Sequence, residues 1–192
     1  MAMTRPDHAA GEGCLTSNGR DSLRGRVLII VAVATAAFVL DQATKWLVLH
    51  VVMRPPRVIE VLPVFNLTLG FNTGVSFGLF SDTLDDWVGA FTLFKFAVAA
   101  GLMAWAVVAL HPCERIGLSL ISGGAMGNAF DRWRQGAVTD FLDLHWGGWH
   151  FPTFNMADVV ITFGVLLILL GVFSVPRKPT GEAIPTLPEG RS

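Results

Sequence analysis

The chain has 192 residues, of which 52% are apolar and 15% charged, and its formal net charge is −1. Its mean hydropathy is +0.54. An average soluble domain carries about 25% charged residues, so this composition excludes a disordered chain and argues against a soluble enzyme. The small net charge gives no electrostatic reason to expect a nucleic-acid partner. The composition is that of a small polytopic membrane protein.

Four apolar stretches predict membrane-spanning helices. They cover residues 27–50, 87–110, 116–130 and 155–175. The first would be roughly 36 Å long at about 1.5 Å per residue, which is enough to cross a bilayer. Each span must be helical because lipid satisfies no backbone polar group. The sequence therefore predicts an all-α membrane protein with four transmembrane helices, and a four-span domain at residues 27–176.

The third stretch differs from the others in its glycine content. It contains Gly117, Gly123, Gly124 and Gly127. Small residues let helices in a membrane approach one another closely, so we expect this helix to lie inside the bundle.

Lysine and arginine positions predict the orientation. Cations adjacent to the span ends fall on one side, at Arg20, Arg24, Arg26, Arg115, Arg177 and Lys178. Cations of the opposite side lie in long connections, which influence topology less. We therefore expect residues 1–26 and 177–192 to be polar cytoplasmic tails. The connections 51–86 and 131–154 then face outward.

Both outward connections have strand-like patterns. Apolar and small or polar residues alternate within residues 61–80, which indicates strands. Residues 138–146 and 149–154 flank Gly147-Gly148 and predict a hairpin. We expect a small outward-facing β-strand platform with a surface loop.

Several ionisable residues fall at or near membrane depth, where such groups are costly and suggest function. Asp41 and Lys45 lie four residues apart and can pair on one helical face, either as a structural pair or in a functional role. Lys95 lies inside the second span and can extend its stem toward the interface. Asp131, beside Arg132 at the exit of the third span, is expected to anchor that helix at the headgroups.

Two further acids have more informative surroundings. In an alternating strand, Asp140 shares its face with Leu142 and other apolar residues, whereas Asp143 lies on the opposite face and is expected to be solvated. Asn155 is a suitable N-cap for the fourth helix. Asp158 then occupies the N3 position, at the membrane boundary.

Asp140 and Asp158 therefore converge on the outer boundary. Two adjacent carboxylates share one proton. The ionised member can deprotonate water while the protonated one binds a carbonyl, which hydrolyses an amide. No serine elbow, zinc motif or P-loop offers another chemistry, and Cys14 and Cys113 lack metal-ligand spacing. We expect no metal and no cofactor.

Two alternatives remain open at this point. The chain could be a proton-coupled small membrane transporter that uses the same acids as a relay, or a non-catalytic assembly protein. Relay acids tend to lie near the midplane of the bilayer. Both acids here are expected at one boundary, which favours hydrolysis.

Five short stretches in order resemble the lipoprotein (type II) signal peptidases. They are Asp41-Gln42-Ala43-Thr44-Lys45, Asn72-Thr73-Gly74-Val75-Ser76-Phe77, Gly127-Asn128-Ala129-Phe130-Asp131-Arg132, Val138-Thr139-Asp140-Phe141 and Phe154-Asn155-Met156-Ala157-Asp158. The resemblance implies a four-span aspartyl endopeptidase of the bacterial inner membrane. It also implies that the substrate is a diacylglyceryl-modified prolipoprotein, cut just before the lipidated cysteine.

The resemblance also assigns roles to residues. The catalytic aspartates of the family fall on Asp140 and Asp158, near the periplasmic face. The residues that bind substrate or support the dyad match Asn72, Asn128, Arg132 and Asn155. Residues with a structural or positioning role match Asp41, Lys45 and Asp131. The expected partners are prolipoprotein substrates and membrane lipid, with no nucleic acid, and the expected state is a monomer.

Overall fold

The computed structural model describes residues 23–74 and 85–174. Most of the two predicted tails lies outside the described residues. So does the last part of the predicted strand region 61–80, together with the end of the motif that begins at Asn72.

The described residues form a bundle of helices with a small sheet. The helices are α1 (Leu23–Leu47), α2 (Asp85–Val108), α3 (Pro112–Gln135) and α4 (Met156–Ser174), and a π-helical turn, Val48–Val52, follows α1. The third helix extends beyond the predicted span 116–130 at both ends. Its extra turns are polar, so an apolar pattern leaves them out. Pro112 begins this helix and Gly136, in the left-handed conformation, ends it.

Helix α3 is the central helix of the bundle, since it packs against α1, α2 and α4. Its glycines permit close approach: a Cβ atom on Gly124 would lie 2.7 Å from the carbonyl oxygen of Ala157 in α4. A Cβ on Gly127 would collide with the carboxylate of Asp41 in α1. The prediction that the third stretch lies inside the bundle is confirmed, and these contacts bring the polar groups of α1, α3 and α4 together.

The two connections form one antiparallel sheet. Its strands are β1 (Ile59–Leu62), β2 (Phe65–Asn72), β3 (Val138–Trp146) and β4 (Trp149–His150), in the order β1-β2-β3-β4. Gly147 and Gly148 have φ values of 56° and 84°, as the two-residue hairpin turn requires. The predicted hairpin and a small antiparallel sheet are therefore present, although the second hairpin strand, predicted over residues 149–154, ends at His150. The pairing of β2 with β3 brings Gly70 opposite Asp140.

Two of the described helical segments are long and apolar enough to cross a membrane, Leu23–Val52 and Met156–Phe173. Only 17% of the residues in each apolar window are buried, so their side chains are not those of a core helix in a soluble globule. The apolar part of α2, Thr92–Val108, is shorter. Helix α3 carries buried polar residues instead of a continuous apolar surface.

Candidate active site

Asp140 is the third residue of β3 and is only 2% exposed. The neighbouring residues Val138, Thr139 and Phe141 are also buried, so this end of the strand has both faces covered. The carboxylate oxygen Oδ1 accepts a 2.6 Å hydrogen bond from Nδ2 of Asn155. Burial raises the pKa of Asp140, and the negative charge of Asp158 raises it further, while hydrogen bonds from Asn155 and Asn72 oppose the shift.

Asp158 lies in the first turn of α4, where it forms a reciprocal cap with Asn155. The backbone N–H of Asp158 donates to Oδ1 of Asn155, and the backbone N–H of Asn155 donates to Oδ2 of Asp158, both at 3.2 Å. This is the capping-box arrangement, with Asn155 in place of the usual Ser or Thr and Asp158 in place of the usual Glu or Gln. The expectation that Asn155 caps the helix and that Asp158 occupies N3 is confirmed.

Asn155 therefore connects the two acids. Its side-chain amide donates to Asp140 and its backbone amide donates to Asp158. Asn155 is fully buried, so its orientation is held by these contacts rather than by solvent. The strand and the helix start that carry the acids are thereby fixed relative to one another.

Helix α3 contributes Asn128 and Arg132 to the same site. Nδ2 of Asn128 donates to Oδ1 of Asp158 at 3.0 Å, and its Oδ1 accepts from Nδ2 of Asn155 at 3.1 Å. Arg132 is close enough to Asp140 and Asp158 to be attracted by both carboxylates. The two α3 residues, one helical turn apart, thus supply an amide and a cation to the pair of acids.

The end of β2 covers Arg132. Oδ1 of Asn72 accepts the backbone N–H of Gly74 at 2.8 Å, and the side chain of Asn72 lies close enough to Asp140 to lower the pKa of that carboxyl group. Gly74 has a φ of 76°, and a Cβ atom on it would lie 3.1 Å from the guanidinium of Arg132. A glycine at this turn therefore allows the backbone to lie directly on the arginine.

A buried cluster of three charged side chains lies beside the pair of acids. Nζ of Lys45 is 2.8 Å from Asp41 and 3.0 Å from Asp131, and the three residues are at most 2% exposed. Lys45 also donates to Oδ1 of Asn128 at 2.9 Å. The predicted pairing of Asp41 with Lys45 is confirmed, and the same lysine also reaches the amide that supports Asp158.

The two carboxylates of this cluster each bind the backbone just before one of the site acids. Oδ1 of Asp41 accepts the N–H of Ala157 at 2.9 Å. Oδ2 of Asp131 accepts the N–H of Thr139 at 3.1 Å. Asp131 is fully buried, so the expectation that it anchors α3 at the headgroups is wrong. The family resemblance implies a structural or positioning role for Asp131, but its contact with the backbone of Thr139 depends on how β3 packs on α3.

The structure also contradicts the predicted exposure of Asp143. It is 5% exposed rather than solvated, and its carboxylate is 2.9 Å from Nδ1 of His150 and 3.3 Å from Nδ2 of Asn66. The hydrogen bond with His150 lowers the pKa of Asp143. A hairpin centred on Gly147-Gly148 places residue 150 opposite residue 145, so the predicted turn could have indicated this contact. Its contacts lie away from Asp140 and Asp158.

The remaining predicted residue, Lys95, is half-buried on α2. Its ammonium group is close enough to the guanidinium of Arg132 for the two positive charges to repel each other. Among the described residues, no hydrogen bond joins Lys95 to Asp140 or Asp158. Within residues 23–74 and 85–174, no group of three or more His, Cys, Asp or Glu side chains could hold a metal ion.

Comparisons with known proteins agree on one family. The family model described as "Signal peptidase (SPase) II" matches residues 33–174. A lipoprotein signal peptidase of Nitratidesulfovibrio vulgaris is 35% identical over 160 residues, which are 80% of this chain and 94% of the relative. One from Sphingopyxis alaskensis is 41% identical over 152 residues, which are 78% of this chain and 87% of the relative.

A solved structure described as a bacterial membrane enzyme is similar in fold. It matches with a TM-score of 0.59 and 28% identity, over 82% of this chain and 94% of that chain. The matches give no support to a proton-coupled transporter. The family model spans most of the chain and includes every residue of the site described above, so the chain belongs to the signal peptidase II family.

Proposed function

We propose that this chain is an aspartic endopeptidase that removes signal peptides from prolipoproteins, with Asp140 and Asp158 as its catalytic pair. The observation that carries the proposal is the bridge made by Asn155, which donates one hydrogen bond to each carboxylate. A buried asparagine that joins two acids holds them in the fixed geometry that general acid–base hydrolysis needs. The family membership supports the substrate class.

The surroundings of the two acids differ, and this difference assigns their roles. Asp158 accepts hydrogen bonds from Asn128 and from the backbone of Asn155, at the start of a helix whose dipole favours an anion. Asp140 is buried on its strand, and its pKa is raised. We therefore assign the carboxylate to Asp158 and the shared proton to Asp140 in the resting enzyme.

The reaction follows from these roles. Asp158 takes a proton from a water molecule, whose oxygen attacks the carbonyl carbon of the scissile amide. Asp140 donates its proton to the carbonyl oxygen, which gives a neutral tetrahedral intermediate. Return of a proton from Asp158 to the amide nitrogen and of the hydroxyl proton to Asp140 breaks the C–N bond. The products are a signal peptide with a free carboxyl group and a new amino terminus.

The other polar residues orient this machinery. Arg132 places a positive charge beside both carboxylates, and the polar side chain of Asn72 favours the ionised form of Asp140. Asp41 and Asp131 hold the backbone before Asp158 and Asp140, respectively, and Lys45 places its cation within 3.0 Å of both carboxylates. We propose a positioning role for these last three residues.

We propose further that α1 to α4 all cross the bacterial inner membrane, with both termini in the cytoplasm. The start of α4 and the strand β3 then lie at the periplasmic boundary. A signal helix that spans from the cytoplasm presents its C-terminal end at this level. The substrate is a diacylglyceryl-modified precursor cut just before its lipidated cysteine, and a monomer contains all the residues that the reaction uses.

Substitution of the two acids tests the proposal. Asp140→Asn and Asp158→Asn remove the acid chemistry while keeping side-chain size, so each should abolish cleavage of a lipid-modified precursor in reconstituted membranes. Asp143→Asn is the matched control, because it changes an acid on the same strand whose contacts face away from the site. Retained cleavage by either folded dyad variant, or equal loss in the control, would contradict the assignment.

A further inference from the structure

A groove runs from Asp158 along α4 and has no role in the reaction described above. It has a volume of about 600 Å³. Helix α4 forms one wall with Val159, Phe163 and Leu166. The other wall is formed by the β3–β4 hairpin and the segment that follows it, including Leu144 and Phe151. We call this feature the α4 groove.

The α4 groove begins at Asp158 and leads into the apolar part of the helix. Asp158 is part of its wall. From Asp158 to Leu166 the helix rises roughly 12 Å at about 1.5 Å per residue. Phe163 and Leu166 are 59% and 48% exposed, so the groove opens sideways on the surface that we assign to lipid. A ligand bound in it can therefore start at the scissile bond and end in the bilayer.

The size of the α4 groove indicates which part of the substrate it fits. An α-helix with its side chains is about 10–12 Å wide, so 12 Å of helix occupies on the order of 1,000 Å³. That exceeds the 600 Å³ of the groove, so the groove cannot enclose a signal-peptide helix. A thin, flexible hydrocarbon chain can be enclosed by it.

The chemistry of the walls agrees with an uncharged ligand. Apart from Asp158, the polar side chains that line the groove are Thr153 and Thr162. The hydroxyl of Thr162 donates to the carbonyl oxygen of Asp158 at 2.8 Å, so its hydrogen is already used. The walls therefore offer hydrophobic and aromatic contact without a charged partner for a headgroup.

A second groove lies between α2 and α3 and is a poorer fit. Its volume is about 490 Å³, and its lining includes Leu93, Phe130 and Arg132. It presents a cation, and neither Asp140 nor Asp158 lines it. A chain attached to the residue next to the scissile bond reaches the α4 groove by the more direct path.

We propose that the α4 groove binds an acyl chain of the lipid carried by the residue at the cleavage point. The proposal rests on the proposed function and deepens it, because it assigns the lipid to a defined surface. A bound chain would place the scissile carbonyl against Asp158. The groove thereby favours the lipid-modified precursor over an unmodified one.

The first test compares chain lengths. Precursor peptides with palmitoyl or butyryl chains on the glyceryl cysteine are cleaved in the same micelles, and the ratio of the two kcat/KM values is measured. Leu166→Trp blocks the far end of the groove. We expect this variant to lower the palmitoyl-to-butyryl ratio of kcat/KM about tenfold or more. Each methylene that loses its place in an apolar pocket can cost about tenfold in kcat/KM, and only the longer chain reaches the blocked end.

Two variants serve as controls. Val165→Trp puts the same residue on α4 at a position that is 43% exposed and does not line the groove. We expect it to leave the ratio within about twofold, as for other surface substitutions. Leu93→Trp fills the second groove instead. The proposal is overturned if the native chain shows no preference for palmitoyl, if Leu166→Trp leaves the ratio unchanged, or if only Leu93→Trp lowers it.

A second measurement uses the native chain and so does not depend on the folding of a variant. A precursor with a diazirine on its acyl chain is bound to the enzyme and photolysed, and the adducts are mapped by mass spectrometry. We expect adducts at residues 159–166, whereas adducts confined to residues 89–96 would overturn the proposal. If the native enzyme cleaves both peptides equally, only the groove proposal fails. If it cleaves neither, the proposed function fails as well.

Discussion

Replacing Lys45 with methionine tests the buried charge cluster more sharply than any other change. Methionine keeps most of the length of the side chain but removes the cation that lies 2.8 Å from Asp41 and 3.0 Å from Asp131. Two carboxylates then share a buried space without a counter-charge. Removing one partner from a buried ion pair typically costs about 3–5 kcal/mol of unfolding free energy.

Asp41→Asn should be much milder, although it breaks the same ion pair. It leaves Lys45 with Asp131, one charge against one, and the asparagine oxygen can still accept the N–H of Ala157. The expected loss of unfolding free energy is the difference between a charge-assisted and a neutral hydrogen bond, about 1–1.5 kcal/mol. The structure thus predicts a large asymmetry between the two halves of one salt bridge.

The assay is thermal unfolding in a single detergent, followed by tryptophan fluorescence. At about 2–4 °C per kcal/mol for a chain of this size, Lys45→Met should lower Tm by about 6–20 °C, and Asp41→Asn by about 2–6 °C. Lys45→Met also removes the donor to Asn128, which should reduce cleavage by about 10- to 100-fold. Equal Tm losses in the two variants, or a loss below about 1 kcal/mol for Lys45→Met, would refute the reasoning.

Two further predictions concern stability. Gly124→Ala should lower the unfolding free energy by about 1–3 kcal/mol, because its Cβ would lie 2.7 Å from a backbone oxygen of α4; an unchanged Tm would show that the helices separate freely. The pKa of Asp143 is lowered from 3.8, chiefly by His150, so its contribution to stability is fully present above pH 3.8 and is lost as the pH falls through the lowered value. The Tm difference between the native chain and Asp143→Asn should therefore be smaller at pH 3 than at pH 5. A difference that does not shrink would contradict the lowered pKa of Asp143.

Residues close together in the chain could be related to one another from the sequence, because local geometry fixes their relative positions. Helical periodicity brings Asp41 to Lys45, and the start of a helix brings Asn155 to Asp158. In both cases the spacing in the chain determines the spacing in space, so no knowledge of packing was needed. Strand alternation was less informative, because Asp143, which was predicted to be exposed on the face opposite Asp140, is also buried.

The tertiary structure alone decided how these local pieces meet. Lys45 contacts Asn128 and Asp131, which lie more than 80 residues away, because glycines on α3 let α1 approach closely. The register of β3 and the packing of α4 determine that Asn155 reaches Asp140. The same register buries Asp143 beside His150 and contradicts its predicted exposure.

The scarcity of charge and the apolar stretches in the sequence determined the class of protein, since few charges cannot cover a soluble globule. They also limited the candidate acids to a small set. Which of those acids meet at one site and which hold backbone amides depended on contacts between distant segments. Helix packing and strand pairing create those contacts, and the order of residues along the chain does not specify them directly.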